Sequence, residues 1–231
     1  MRIAMWSGPR NLSTAMMYSF AARGDFTVMD EPFYAPYLAA SGAEHPMRDE
    51  ILAAHENEPD KVVKICAAPV KTPHLYMKHM PHHMLAGFPL DWARDCVNVH
   101  LIRHPARVIA SYAAKREHPS LEDIGFLQQK ALYDRLGGVV IDGTDIRANP
   151  ESMLRALCEA IGLPFDPQML HWQAGPRAED GVWAAHWYGA VHRSTGFAGA
   201  EAALPELTGE NAALCEAALP AYLAMKSYSL K

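Results

Sequence analysis

The chain has 231 residues, half of them hydrophobic, which is enough to bury the core of one large α/β domain. Its formal net charge of −5 leaves no dominant basic face, so neither a nucleic-acid binder nor a membrane-surface protein is predicted. The four cysteines contain no C-x-x-C pair, which excludes a typical zinc module or disulfide scaffold and indicates a reducing compartment. Because the chain enters a strand directly and has no apolar run of membrane-spanning length, we expect a cytoplasmic protein.

The first twenty residues predict a strand, a tight loop and a helix. Residues 3–6 form an apolar run that predicts a buried strand. The strand cannot continue, because Gly8 frees the backbone and Pro9 lacks an N–H donor. Over residues 12–20 apolar positions recur every three or four residues, which predicts a helix with Asn11 as its N-cap.

A loop that opens a helix in this way is a candidate anion site. The backbone N–H groups from Asn11 through Leu12 and Ser13 to Thr14 would face an anion at the helix N-terminus. Arg10 offers a guanidinium for phosphate or sulfate oxygens, and Ser13 and Thr14 add hydroxyls. The loop is not a nucleotide triphosphate P-loop, because Ser and Thr stand where that motif needs Gly and Lys.

A second predicted strand, residues 26–29, ends at two carboxylates, Asp30 and Glu31. The carboxyl ends of parallel strands meet at one edge of a sheet, where α/β active sites assemble, so Glu31 is a candidate general base. Alternatively, both carboxylates cap the helix predicted over residues 33–40. Residues 41–60 are polar and without periodicity, which predicts a surface excursion and a candidate lid.

The next predicted strand, residues 75–77, ends at Lys78 and His79, which places a cation and an imidazole at the same sheet edge. His82 and His83 follow, and with His79 they have the i, i+3, i+4 spacing of a helical zinc site. No cysteine or carboxylate is adjacent and a proline interrupts the segment, so no metal site is predicted.

The apolar run over residues 96–102 predicts a buried strand, which is followed by Arg103. Pro105 suits the first position of a helix that we expect to end near Arg116. Ser111 lies eight residues after Arg103, about two turns along that helix. The sequence therefore places a cation at a strand end with a hydroxyl on the helix that follows.

The remaining chain predicts three helices and one further strand. We expect an amphipathic helix over residues 121–136, a strand over 138–142, a helix over 149–161 and a terminal helix over 214–225. Residues 166–199 lose periodicity and accumulate tryptophan, tyrosine and histidine, which predicts packing over the sheet edge or the lining of a pocket.

These elements predict one α/β domain over residues 1–231. The expected architecture is a three-layer, P-loop-type fold, with a central parallel sheet of about five strands flanked by helices. Residues 166–231 form a C-terminal helical and irregular extension, with an aromatic-rich loop before the terminal helix.

Two segments resemble the cofactor-binding motifs of sulfotransferases. The loop S-G-P-R-N-L-S-T, residues 7–14, is similar to the loop that binds the 5′-phosphosulfate in that family. The segment R-H-P-A-R-V-I-A-S-Y, residues 103–112, is similar to the one that binds the 3′-phosphate, with Arg103 and Ser111 in the positions of the family's Arg and Ser. The two motifs also occur in the family's order and at a similar separation.

A third, weaker match covers residues 139–165, a strand followed by Asn-Pro, a helix and Gly-Leu-Pro-Phe. It departs from the family at residues 143–145, where Gly-Thr-Asp stands in place of Tyr-Glu-Asp. The resemblance therefore covers roughly residues 1–165 and is specific at the two anion motifs.

The resemblance implies a sulfotransferase that uses 3′-phosphoadenosine 5′-phosphosulfate (PAPS) and transfers its sulfuryl group to a hydroxyl or amine of a small-molecule acceptor. It assigns Arg10, Ser13 and Thr14, with the backbone of residues 11–14, to the 5′-phosphosulfate, and Arg103 with Ser111 to the 3′-phosphate. Arg193 lies where the family's late loop folds over the adenine and the 3′-phosphate. No metal is required, and neither a nucleic acid nor a membrane is an expected partner; the oligomeric state is left open.

For the proton transfer, the resemblance implies Glu31 as general base, in the position of the strand-two carboxylate that part of the family uses. Other members use a histidine close after a lysine on a later strand. Lys78 and His79 are similar to that pattern with one residue fewer between them, so Lys78 is expected to steady the sulfuryl group and His79 is the reserve base.

Two alternatives remain open. Residues 28–31 and 139–142 are typical of magnesium-holding strand ends, which favours a P-loop kinase or NTPase that uses Mg-ATP. The missing loop lysine and Arg103 at a strand end oppose that function. The other alternative is a non-catalytic nucleotide-binding or interaction protein, since a degraded site keeps its fold.

Overall fold

The computed structural model describes residues 1–113 and 119–231 and contains one parallel sheet of five strands, in the order β2-β3-β1-β4-β5. The strands are β1 Arg2–Ser7, β2 Phe26–Asp30, β3 His74–His79, β4 Val97–Ile102 and β5 Val139–Asp142. The predicted α/β architecture with a central parallel sheet is confirmed.

Alternation of side chains along β1 explains the three layers. Ile3 and Met5 belong to the core formed with helix α1 (Ser13–Ala22), whereas Ala4 and Trp6 pack on the opposite face with Leu132 of a later helix. Since successive side chains of a strand point to opposite faces, a central strand covered by helices on both sides has to be apolar throughout.

Helices connect the strands and cover both faces of the sheet. After α1 they are α2 Tyr34–Ser41, α3 Arg48–Ala54, α4 Pro59–Ala67, α5 Pro105–Ala113, α6 Leu121–Ile124, α7 Phe126–Leu136, α8 Gly143–Ala148, α9 Pro150–Ala160, α10 Ala184–Trp187, α11 Gly189–His192 and α12 Gly209–Lys226. In the described part of the chain, 3₁₀ turns cover Pro81–His83, Asp91–Asp95 and Pro167–Leu170.

Several predicted boundaries differ from the structure. The helix expected over residues 121–136 is divided into α6 and α7, because Gly125 adopts a left-handed φ of 69° that ends the first helix. Residues 41–60 are not irregular: they contain α3 and the start of α4, and Ile51 of α3 is fully buried. The expected end of α5 near Arg116 lies outside the described residues.

The C-terminal extension packs onto the body of the domain. Tyr222 and Met225 of α12 share a core with Val108 and Ile109 of α5. The aromatic segment before α12 packs Trp183 with α2 and α3. Within residues 1–113 and 119–231, no helix is both long and apolar enough to cross a membrane.

Candidate active site

The carboxyl ends of the strands border a cavity of about 880 Å³. Its lining takes Arg10 and Leu12 from the loop after β1, Glu31 from the end of β2, Lys78 from β3 and Arg103 from the end of β4. This is the sheet edge at which the sequence places the site, because parallel strands bring their carboxyl ends together.

The loop after β1 is longer than predicted, and the predicted cap at Asn11 is wrong. Arg10 and Leu12 adopt left-handed φ values of 62° and 70°, so α1 begins only at Ser13. The Asn11 side chain instead turns inward and donates a hydrogen bond from Nδ2 to the Leu101 carbonyl, at 3.2 Å. Leu12 at the N-cap position offers no side-chain hydrogen bond, which leaves the first-turn N–H groups of α1 available to an anion.

Gly8 allows this loop to pass close to α6. A β-carbon at this position would lie 2.8 Å from the carbonyl oxygen of Ile124, closer than two such atoms can approach. Any larger residue therefore has to shift either the anion loop or the end of α6.

Arg10, Ser111 and Arg103 are in direct contact on the β4 side of the loop. Arg10 donates from Nε to Ser111 Oγ at 3.1 Å, and Arg103 donates from Nη1 to the Arg10 carbonyl at 2.6 Å. Burial, followed by the charge of Arg103, lowers the pKa of Arg10. Two adjacent cations that disfavour each other's charge are stabilised by a bound anion.

A carboxylate that sequence analysis did not single out, Glu201, sits in a cluster of arginines. Arg103 Nη2 donates to Glu201, and Arg107 Nε and Arg147 Nη1 each lie 2.9 Å from its carboxylate oxygens. Thr144 Oγ1 donates to the same carboxylate at 2.8 Å. Burial acts to raise the pKa of Glu201, but the hydrogen bonds from Arg103 and Thr144 hold it below its usual value.

On the β2 and β3 side, Lys78 anchors two carboxylates. Its Nζ lies 2.9 Å from Asp30 Oδ1 and 2.7 Å from Glu31 Oε1, and all three side chains are at most 6% exposed. Glu31 joins Asp30 at the same cation because its left-handed φ of 43° turns the chain at the end of β2. Tyr188, which the sequence placed only among pocket aromatics, donates to Asp30 at 2.7 Å and accepts from Trp183 Nε1 at 3.1 Å.

Burial makes the Glu31 carboxylate easier to protonate than an exposed carboxylate. Burial raises the pKa of Glu31; the charge of Lys78 opposes that shift, and the charge of Asp30 adds to it. Burial acts to lower the pKa of Lys78, but the two carboxylates outweigh it and raise that pKa. Lys78 therefore stays charged, and Glu31 is poised to take up a proton.

His79 does not belong to this cavity. Lys78 and His79 are successive residues of β3 and point to opposite faces of the sheet, so His79 stacks on Trp6 with ring centroids 4.7 Å apart. Burial lowers the pKa of His79 to about 3. Strand alternation was the signal in the sequence that Lys78 and His79 could not share one site.

The other residues singled out from the sequence do reach the cavity. Ser13 and Thr14 line it from the first turn of α1, and Arg193 lines it from the segment after α11, together with residues 194–198. His82 and His83 line it too, but the described residues contain no group of three or more His, Cys, Asp or Glu side chains placed to hold a metal ion.

Both carboxylates needed by the kinase alternative are engaged by protein groups. Asp142, at the end of β5, accepts from Thr144 N at 2.8 Å and from Tyr222 at 2.9 Å, and it pairs with Lys226 at 2.9 Å. Asp30 pairs with Lys78, as described above. Neither strand end offers an unpaired carboxylate for a magnesium ion.

Comparison with known proteins identifies the family. The family model described as "Sulfotransferase domain" matches residues 1–229. The chain therefore belongs to the sulfotransferase domain family.

Two solved structures share the fold. The sulfotransferase domain from the curacin biosynthetic pathway has a TM-score of 0.58 at 15% identity, covering 99% of this chain and 98% of that one. The sulfotransferase domain from the Synechococcus PCC 7002 olefin synthase has a TM-score of 0.51 at 18% identity, covering 100% and 96%. At these identities the likeness concerns the fold.

Two curated relatives come from Arabidopsis thaliana. Branched-chain-amino-acid aminotransferase-like protein 2 is 39% identical over 202 residues, and branched-chain-amino-acid aminotransferase-like protein 1 is 38% identical over 232 residues. These alignments cover 84% and 98% of this chain but only 36% and 42% of the two plant proteins. The chain thus spans less than half the length of the curated relatives that it matches.

Proposed function

We propose that this member of the family transfers a sulfuryl group from PAPS to a hydroxyl or amine of a small-molecule acceptor. The observation that carries the proposal is the meeting, in one cavity, of an anion loop, a second cationic site and a lysine-anchored carboxylate. PAPS supplies two separated anionic groups and an activated sulfuryl group, and each of these has a matching partner in the cavity.

Donor binding is assigned to the β1, β4 and α5 side of the cavity. The N–H groups and hydroxyls of Ser13 and Thr14 are proposed to bind the 5′-phosphosulfate at the N-terminus of α1. Arg103 and Ser111 are proposed to bind the 3′-phosphate, since a guanidinium forms charge-assisted hydrogen bonds to phosphate oxygens. Arg10 contacts Ser111 and lies between the two sites, and Arg193 covers the cavity from its rim.

Proton transfer is assigned to Glu31. Its Oε1 is held by Lys78, whereas its Oε2 lies 4.0 Å from His83 Nδ1, beyond hydrogen-bonding distance, and is proposed to accept the proton of the acceptor. As the acceptor oxygen or nitrogen bonds to sulfur, the bond from sulfur to the phosphate oxygen breaks, and the cations around Arg10 stabilise the leaving phosphate. Lys78 fixes Glu31 and stabilises negative charge on the sulfuryl oxygens.

The direct test is binding of adenosine 3′,5′-bisphosphate (PAP), the product form of the donor, without added metal. At a ligand concentration one hundred times its dissociation constant, PAP should raise the free energy of unfolding by about 2.7 kcal/mol. Thermal-shift measurements with PAP in EDTA, compared with ATP and magnesium, check this. If ATP with magnesium stabilises the protein and PAP does not, the result would favour the kinase alternative and contradict the proposal.

Arg103 is expected to contribute to the affinity for nucleotides that carry a 3′-phosphate, but not to the affinity for those that lack it. Arg103→Ala is expected to weaken PAP binding by about 1.5–3 kcal/mol, the usual range for a hydrogen bond to a charged group, and to leave 5′-AMP binding nearly unchanged. Isothermal titration calorimetry measures both affinities. Arg155→Ala, which removes an exposed arginine paired with Glu151, is the matched control. Equal losses for the two nucleotides would show that Arg103 supports the loop through the Arg10 carbonyl instead.

A further inference from the structure

The Glu201 cluster has the chemistry of a phosphate site with a carboxylate seated in it. Three guanidinium groups and one hydroxyl converge on Glu201, whose side chain is 2% exposed. Arginine forks and hydroxyls of this kind are the usual donors to phosphate oxygens. One of the three arginines, Arg103, is the residue assigned above to the 3′-phosphate.

The cluster has more cationic capacity than Glu201 uses. Three positive charges surround a single negative charge, so the group as a whole remains cationic. Within the described residues, the Nε atom of Arg103 is buried without a hydrogen-bond partner. Arg103 and Arg147 also line the cavity, so a ligand there can reach the same guanidinium groups.

We propose that Glu201 is an internal competitor, which occupies the 3′-phosphate site of the unliganded chain and has to leave before the nucleotide binds. The inference rests on the proposed function. A phosphate dianion placed on Arg103 beside a buried carboxylate would meet a like charge at close range, and the two anions would share the same donors.

The arginines of this cluster also hold the backbone of the segment that carries Glu201. Arg147 Nε donates to the Gly199 carbonyl at 2.9 Å, and Arg107 Nη2 donates to the Ala202 carbonyl at 2.5 Å. Residues 197–208 contain no helix or strand, and residues 202–204 are exposed. Phe197 and Leu207 pack against the core at its two ends, and the polar contacts between them are lost together once the arginines turn to a phosphate.

Such competition lowers the apparent affinity for a nucleotide that carries a 3′-phosphate. Only molecules in which Glu201 has left the arginines can bind the 3′-phosphate. The apparent dissociation constant is therefore the intrinsic dissociation constant divided by the fraction of molecules in that state. A nucleotide without a 3′-phosphate leaves Glu201 in place and gains nothing from the arginines. Glu201 therefore narrows the difference in affinity between PAP and 5′-AMP and sets how tightly the chain binds the donor.

The test compares PAP and 5′-AMP affinities of the wild-type chain and Glu201→Gln by calorimetry. Minor states commonly hold at most about a tenth of the molecules, so Glu201→Gln is expected to bind PAP at least about tenfold more tightly. Its affinity for 5′-AMP should not change. Glu206→Gln is the matched control, because it removes the same charge from an exposed position of the same segment and should change neither affinity.

Unchanged or weaker PAP binding by Glu201→Gln would overturn the inference. It would show that Glu201 keeps its ion pairs with the arginines when PAP is bound. Failure of both proteins to bind PAP would instead overturn the proposed function, and the inference with it. If the variant does not fold, hydrogen exchange on the wild-type chain decides: PAP should speed exchange at residues 199–202 while slowing it at residues 11–14. Slower exchange at both segments would overturn the inference and leave the proposed function standing.

Discussion

Glu31→Gln is expected to lower the turnover of any working acceptor by about 100-fold or more, with PAP affinity unchanged. The substitution keeps the shape of the side chain and its contact with Lys78, but it removes the group proposed to accept the acceptor's proton. Steady-state rates and PAP calorimetry on the same preparations separate catalysis from binding. Because burial already disfavours the Glu31 carboxylate, the free energy of unfolding at neutral pH should not fall.

The pH dependence of kcat/KM is a second test of Glu31 as the general base. A general base works when deprotonated, and the pKa of Glu31 is raised, so kcat/KM should fall with decreasing pH at a higher pH than an ordinary carboxyl would give. His79→Leu is the matched control, since His79 is buried on the other face of β3 and should not affect turnover beyond its effect on stability. An active Glu31→Gln together with an inactive, folded His79→Leu would move the base to His79.

Lys78→Met should cause the largest loss of stability, about 3–5 kcal/mol in the free energy of unfolding, because it leaves two buried carboxylates without their cation. Asp30 and Glu31 are 1% and 6% exposed at their side chains, so water cannot take the place of the ammonium group. Urea unfolding at neutral pH measures the loss, and lowering the pH should recover part of it as Glu31 takes up a proton.

Lys130→Met serves as the control for that experiment. Lys130 pairs with Asp134 four residues along α7, at 2.6 Å, and both side chains are partly exposed. An ion pair of this kind contributes only about 0.3–0.5 kcal/mol. Similar losses for the two variants would mean that the Lys78 cluster is hydrated and adds little to stability.

The strands and the anion loop could be predicted because their signals are local. A parallel sheet buried on both faces needs apolar runs, and Gly8 with Pro9 ends the first of them, so fold class and loop follow from a few residues. The length of the loop could not be predicted from these residues. Arg10 and Leu12 adopt left-handed conformations that their side chains do not favour, which reflects tertiary contacts such as that of Asn11 with Leu101.

The site residues that stand at strand ends could be predicted from the sequence, whereas Glu201 and Tyr188 in the irregular C-terminal segment could not. Glu31, Lys78 and Arg103 each stand at a strand end, and the sheet brings strand ends together. Glu201 lies 98 residues from Arg103, in a segment without periodicity, and no pattern marks it. Tyr188 was counted only among aromatics, because its hydroxyl contacts with Asp30 and Lys78 depend on how the extension folds back.

The strand order sorts the chemistry of the cavity into two halves. β2 and β3 lie on one side of β1 and carry Asp30, Glu31 and Lys78, whereas β4 lies on the other side and leads into Arg103 and Ser111. The residues proposed to meet the acceptor thus lie at the ends of a different pair of strands from the residues proposed to meet the donor. From this proposed assignment we expect substitutions near the ends of β2 and β3 to change the acceptor while the donor half is kept, so the sheet would be a modular starting point for directed evolution.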